Sequence, residues 1–143
     1  MLIGEYRHTI DAKKRLALPA KFRKELGRCV IVTKGINNCL SVYTEKEWEV
    51  VSDKLGKLPI SQAEARGFAR VILAGATESE LDKLGRILLP EYLKEYAGLG
   101  KNVVITGLVN RLEIWDEKKW DSYKNEAEKQ VDDLASKLGE LGI

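Results

Sequence analysis

Polar and apolar residues alternate along Glu5-Tyr6-Arg7-His8-Thr9-Ile10 with the two-residue period of a half-buried strand. A tight polar turn follows, and the apolar run Leu16-Ala17-Leu18 predicts a second short strand. Pro19 stands where a helix can begin without losing a backbone hydrogen bond, and Gly27 stands where that helix would close. Residues 29–33 then read as a strand, Gly35 to Asn38 as a turn, and residues 39–43 as the returning strand of a hairpin. Thr44 with Glu47 has the spacing of a capping box, and it opens a helix carrying Trp48, Val51 and Leu55 on one face. Ser61 with Glu64 repeats the device for a helix over roughly residues 61–73, with Ala65, Phe68, Ala69 and Ile72 on its packed face.

The same pattern then runs a second time. Residues 9–19, from Thr9 to Pro19, match residues 80–90, from Glu80 to Pro90, at a constant offset of 71 that pairs Asp11 with Asp82 and Arg15 with Arg86. Phe22 pairs with Leu93, Arg23 with Lys94 and Gly27 with Gly98; after a slip of one residue Gly35 pairs with Gly107, Asn38 with Asn110, Leu112 with Leu40 and Trp120 with Trp48. The second copy therefore repeats two strands, a helix closed by Gly98, strands over residues 103–106 and 112–115, a Gly-x-x-Asn turn between them and a final helix. Four segments result: a first unit at 5–47, a helical connector at 48–75, a second unit at 76–119 and a C-terminal helix at 120–143. The fold class is α+β. In the last segment Ala127, Val131, Leu134, Leu138 and Leu141 are spaced as a heptad seam, which either packs on a neighbour or docks on the chain's own body.

Composition narrows the function classes. The 143 residues are 44% hydrophobic and 32% charged, enough for one core or two mutually dependent units. No apolar run approaches the ~20 residues that cross a bilayer, and Glu5 interrupts the N-terminal stretch before a signal-peptide core can form, so the expected compartment is the cytoplasm. Cys29 and Cys39 lack Cys-x-x-Cys spacing and only His8 is available beside them, so neither metal nor disulfide is expected; the two thiols read as buried strand residues. His8 has no Ser or Cys partner pattern. No nucleophile-base pair and no phosphate-loop signature is present, which argues against an enzyme, a cofactor or a small-molecule substrate.

Net charge is only +2, but it is unevenly placed. Residues 1–35 hold nine bases against three acids, whereas residues 116–143 hold five lysines against eight acids. The first end suits phosphate and the other does not. Within the basic end the repeated element is Asp-x-x-x-Arg on a strand-turn-strand. Asp11 and Asp82 have the chemistry to accept backbone N–H bonds across each turn and so shape the loop. Gly85 accepts a positive φ at little cost, while Lys14 at the matching site tolerates it at a penalty of roughly 1 kcal/mol. Arg15 and Arg86 follow the turns, with Lys13, Lys14 and Lys83 beside them. Two readings of the arginines stand open: contact with phosphate or with guanine O6 and N7, or ion pairs with Asp11 and Asp82 that only fix the turn. The helix bases Lys21, Arg23, Lys24 and Arg28 read as a solvated face, with help in positioning a duplex as the other reading, and Trp48 and Trp120 as core anchors.

The stretch Gly4-Glu5-Tyr6-Arg7-His8-Thr9-Ile10-Asp11, the segment from Arg15 to Arg23, and Leu81-Asp82-Lys83-Leu84-Gly85-Arg86-Ile87-Leu88-Leu89-Pro90 closely resemble the MraZ family over nearly the whole chain. That resemblance implies two pseudo-symmetric SpoVT-AbrB-type units interleaved into a swapped-hairpin β-barrel with flanking helices. It further implies a nucleoid-associated DNA-binding regulator, a repressor of the bacterial division and cell-wall gene cluster, that assembles as a homo-oligomeric ring on repeated promoter boxes. The DNA-facing residues it implies are Lys13, Lys14, Arg15, Lys83, Gly85 and Arg86. The family usually has glycine where this chain has Lys14, and often a polar residue at the position of Leu84. The rival expectation, from antitoxin relatives of the same fold, is a scaffold that captures a protein partner through the acidic tail.

Overall fold

The computed structural model describes residues 1–142 and gives an α+β architecture. The first copy supplies β1 (Leu2–Thr9), β2 (Arg15–Ala17), a 3-10 turn (Ala20–Phe22) leading into α1 (Arg23–Leu26), β3 (Cys29–Lys34), β4 (Leu40–Thr44) and α2 (Glu45–Gly56). A connector helix, α3 (Ala63–Ala74), leads to the second copy: β5 (Thr77–Glu80), β6 (Arg86–Leu88), α4 (Glu91–Ala97), β7 (Asn102–Val109), β8 (Leu112–Asp116) and α5 (Glu117–Lys129). A short α6 (Val131–Lys137) ends the described chain with a 3-10 turn.

The two copies are interleaved rather than side by side. One antiparallel sheet has the order β1-β7-β8-β4-β3-β5, and a separate ribbon pairs β2 with β6. Exchanging each strand for its repeat-equivalent maps the sheet order onto itself, so the pseudo-twofold passes between β8 and β4 and through the ribbon. Each copy therefore lends its first strand to the other copy's hairpin: β1 lies on β7 over eight residue pairs and β5 lies on β3 over four. The ladder is not closed. β1 and β5 remain sheet edges, because each copy leaves its edge strand through a tight turn, with one bridge between Ile10 and Leu16 in the first, before the three-residue ribbon strands begin.

The core explains why the repeat persists in sequence. Leu16, Leu18, Phe22 and Leu26 match Ile87, Leu89, Leu93 and Ala97 at the 71-residue offset, and all eight are buried. Leu40, Val42, Leu112 and Ile114 complete the cluster from the central strands. Burial of each large side chain contributes about 1.5–3 kcal/mol, and half of those side chains come from each copy, so neither copy has a finished core alone. Tyr43 with Trp48 and Trp115 with Trp120 repeat one aromatic contact, with centroids 5.6 and 5.4 Å apart, that anchors α2 and α5 on the sheet.

Several sequence expectations hold locally. Gly27 and Gly98 close their helices with φ of 77° and 60°. The Thr44 side chain accepts from Glu47 N at 3.1 Å. Others change. Gln62, not Ser61, sits at the start of α3, without a side-chain cap. On α3 Ile72 is buried and takes a 2.7 Å bond from Thr33 Oγ1 at its carbonyl, but Phe68 faces solvent. Gly107, expected in a turn, lies inside β7, where an added Cβ would sit 2.5 Å from Ile3 N. The turn is instead carried by Val109 to Arg111, with Val109 at φ 69°. The heptad seam is broken at Gln130 between α5 and α6, and Val131, Leu134, Leu138 and Leu141 are all exposed, so it does not dock on its own chain.

Candidate nucleic-acid interface

The ribbon carries the repeated motif, and strand alternation sorts its residues. Leu16 and Ile87 point into the core, which leaves Arg15, Ala17, Arg86 and Leu88 on the outer face. Arg15 lies opposite Leu88 and Arg86 opposite Ala17, so the two arginines are diagonal neighbours across the pseudo-twofold. Each tip is joined to the other copy's ribbon strand: Leu18 N donates to Gly85 O at 3.0 Å, and Leu89 N donates to Lys14 O at 2.9 Å.

Both tips are three-residue hairpin loops with one left-handed position. Lys14 N donates to Asp11 O at 3.0 Å and Gly85 N to Asp82 O at 2.9 Å; Lys14 has φ 62° and Gly85 φ 73°. The aspartates act as the sequence predicts. Asp11 Oδ1 accepts from Lys13 N and Arg15 N, both at 2.9 Å, and Asp82 Oδ1 accepts from Leu84 N and Arg86 N at the same distance. The backbone N–H of Arg15, joined by the Arg15 side chain, holds the Asp11 carboxyl below its ordinary value, and Arg86 does the same for Asp82.

The arginines are tethered by hydrogen bonds through one edge only. Arg15 Nε donates to Asp11 Oδ2 at 2.8 Å and Arg86 Nε to Asp82 Oδ2 at 2.7 Å. The ion-pair reading of the sequence is thus realised, yet it engages Nε and leaves the terminal nitrogens available. Arg15 Nη1 and Nη2 have no hydrogen-bond partner among the described residues, and Arg86 Nη1 comes only to 3.9 Å of Asp11 Oδ2. A guanidinium fixed at Nε and open at its end is a planar two-donor fork, suited to a phosphate or a base edge.

The remaining expected residues divide. Lys13 and Lys83 are exposed at the tips and make no ion pair among the described residues. Lys14 is paired at the surface: its Nζ lies 2.6 Å from Glu91 Oε2 at the start of α4, and the contact draws the Glu91 carboxyl below its usual range. Gly85 is covered by the Arg23 side chain. Two residues brought to the site went unremarked in sequence, Glu91 and Leu88, the latter 57% exposed; Leu84, noted there only as a departure from the family pattern, is 61% exposed at the second tip. The uniformly apolar run Ile87-Leu88-Leu89 gave no polar residue to mark an outward face, although the register of Leu88 with Arg15 identifies it. His8 is half-buried beside this region, with burial and then the Arg23 charge lowering its pKa. Burial pushes the Cys39 thiol up to about 12.

Comparison with known proteins agrees with this duplicated geometry. The family described as "MraZ protein, putative antitoxin-like" matches residues 1–71 and again residues 72–138. The chain belongs to the MraZ family. Proteins named "Transcriptional regulator MraZ" from Caldicellulosiruptor bescii and Natranaerobius thermophilus are 52% and 47% identical over 143 residues, covering all of both chains. One of the same name from Carboxydothermus hydrogenoformans is 49% identical over 138 residues, 96% of each chain. These MraZ relatives extend along the entire repeat pair, so the matched region spans both loops. Among the described residues, no helix is long and apolar enough to cross a membrane.

Proposed function

We propose that this chain is a sequence-specific DNA-binding transcriptional regulator that grips double-stranded promoter DNA with its arginine-bearing ribbon. The observation that carries the reading is the pair of outward guanidiniums, each pinned at Nε by its own aspartate and open at its end. Preorganisation lowers the side-chain entropy lost on binding. The major groove admits a two-stranded ribbon, and diagonal residues on such a ribbon stand roughly 7–8 Å apart. That separation spans about two base-pair steps of ~3.4 Å, so Arg15 and Arg86 would reach neighbouring guanines or their phosphates. Lys13 and Lys83 add charge at the tips, and Leu84 and Leu88 offer apolar contact to thymine methyl groups.

Family membership extends the reading to repression of the division and cell-wall gene cluster from repeated promoter boxes, by a cytoplasmic, nucleoid-associated homo-oligomer arranged as a ring. Linked sites raise affinity by about 10² or more without new contacts, which offsets a modest net charge of +2. A salt-titrated gel shift on the DNA upstream of the chain's own gene tests the proposal. Arg15→Ala is expected to remove binding and leave the melting temperature nearly unchanged, since its ion pair is only part-buried. Loss of folding in parallel with loss of binding would refute a contact role. A second reading, capture of a protein partner, draws on the exposed apolar seam of the acidic tail; a pull-down free of DNA separates it from the first.

A further inference from the structure

The pseudo-twofold fails at one place on the helical side of the sheet. In the first copy Thr33 stands opposite Ser41, and in the second Thr106 stands opposite Glu113. Ser41 and Glu113 are repeat-equivalent at an offset of 72, so the two threonines occupy matching positions. Both are buried, at 1% and 4% exposure. Thr33 Oγ1 donates to Ile72 O, near the end of α3, at 2.7 Å; Thr106 Oγ1 has no hydrogen-bond partner among the described residues. A buried hydroxyl left unpaired is costly and calls for an acceptor. The surrounding walls correspond as well. Tyr43 and Val51 line the hollow beneath α3, and their equivalents Trp115 and Tyr123 line the hollow beside Thr106. With α3 in place the hollow of the first copy is about 150 Å³, while that of the second, which has no counterpart of α3, is about 380 Å³.

Connection length explains the vacancy. Six residues, 57–62, separate α2 from α3 and let the chain reverse, whereas Gln130 alone separates α5 from α6. The tail cannot fold back over its own α5, and Val131, Leu134, Leu138 and Leu141 stay exposed. We propose that the empty seat beside Thr106 receives the tail helix of a second copy of this chain. This names the two contact faces of the homo-oligomer and rests on the homo-oligomeric reading above. The apolar residues of the tail recur at spacings of three and four, the stripe a helix needs to lie in a groove walled by Leu108, Trp115 and Tyr123. Lys118 borders the hollow that continues past Trp115 and Tyr123 and makes no ion pair among the described residues, which suits Asp132, Asp133 and Glu140 of an incoming tail. Carbonyls in the last turn of a helix lack intrahelical partners, so the incoming helix brings Thr106 the acceptor that Ile72 O gives Thr33. Seat and tail are different surfaces, so the contact is heterologous and joins copies head to tail, as a ring requires.

Light scattering on two complementary variants tests this, with thermal melting measured for each. Leu108→Glu/Tyr123→Glu spoils the seat and keeps the tail; Leu134→Glu/Leu138→Glu spoils the tail and keeps the seat. Each alone is expected to have the mass of a single chain, and an equimolar mixture is expected to form two-chain complexes and nothing larger. Thr106→Val is expected to leave the melting temperature of the tail variant no lower, since the hydroxyl there has no partner to lose, yet to weaken assembly of the otherwise wild-type chain about fivefold. Wild-type mass retained by the folded seat variant would overturn the seat while leaving the homo-oligomer standing, whether the tail then pairs with another tail or with a different partner. A mixture that stays as single chains, or an assembly indifferent to Thr106→Val, would likewise overturn it. A wild type that is itself a single chain would remove both the seat and the homo-oligomeric reading.

Discussion

At the scale of single residues two carboxylates shape both loops. Asp11 and Asp82 each hold two loop N–H groups and one arginine, and both titrate below their ordinary value because those bonds favour the charged form. A group whose folded pKa is depressed stabilises the fold above its unfolded pKa, and that contribution disappears as pH falls through the folded value. The melting temperature of the wild type is therefore expected to drop as pH falls below about 4, the unfolded range of aspartate, and the Asp11→Asn/Asp82→Asn double variant is expected to start lower and fall less steeply. Parallel pH profiles would show that the aspartates do not hold the loops. The roles of these residues were legible in sequence, since an Asx residue four positions before an arginine in a strand-turn-strand dictates the bonding. The fate of Lys14 was not. Its partner, Glu91, lies 77 positions away and is reached only because the copies interleave.

At the scale of elements, period and punctuation located nearly every strand and helix. Gly27, Gly98 and the Thr44–Glu47 box act where their spacing placed them. The errors occur where tertiary contact overrides local pattern. Gly107 reads as a turn residue, yet β1 runs so close to β7 that only glycine fits there, and the turn moves onward to Asn110. The tail is the second such case. Its heptad spacing survives in sequence, but the helix breaks at Gln130 and the seam stays in solvent. Removing residues 131–143 is expected to change folding stability by no more than about 0.5 kcal/mol, while lowering the assembly mass seen by light scattering. A large fall in melting temperature with unchanged mass would place the seam on the chain's own body instead.

At the scale of the molecule, duplication has made one chain do the work of two. The repeat was visible in sequence as a constant offset, but the exchange of first strands between copies follows from topology, not from periodicity: alternation states that β1 and β5 are strands without stating which hairpin each joins. The exchange matters because it brings both arginines onto one short ribbon, with Asp11 of one tip 3.9 Å from Arg86 of the other. The ribbon face also collects Arg23, which as a helix base looked like ordinary surface charge. The most direct measurement is an NMR titration of the arginine side-chain N–H groups with the promoter duplex. The signals of Arg15 and Arg86 are predicted to shift and sharpen into bound forms together with the amides of Lys13 and Lys83; shifts confined to α3, α5 or the tail, with both arginines unmoved, would contradict the account.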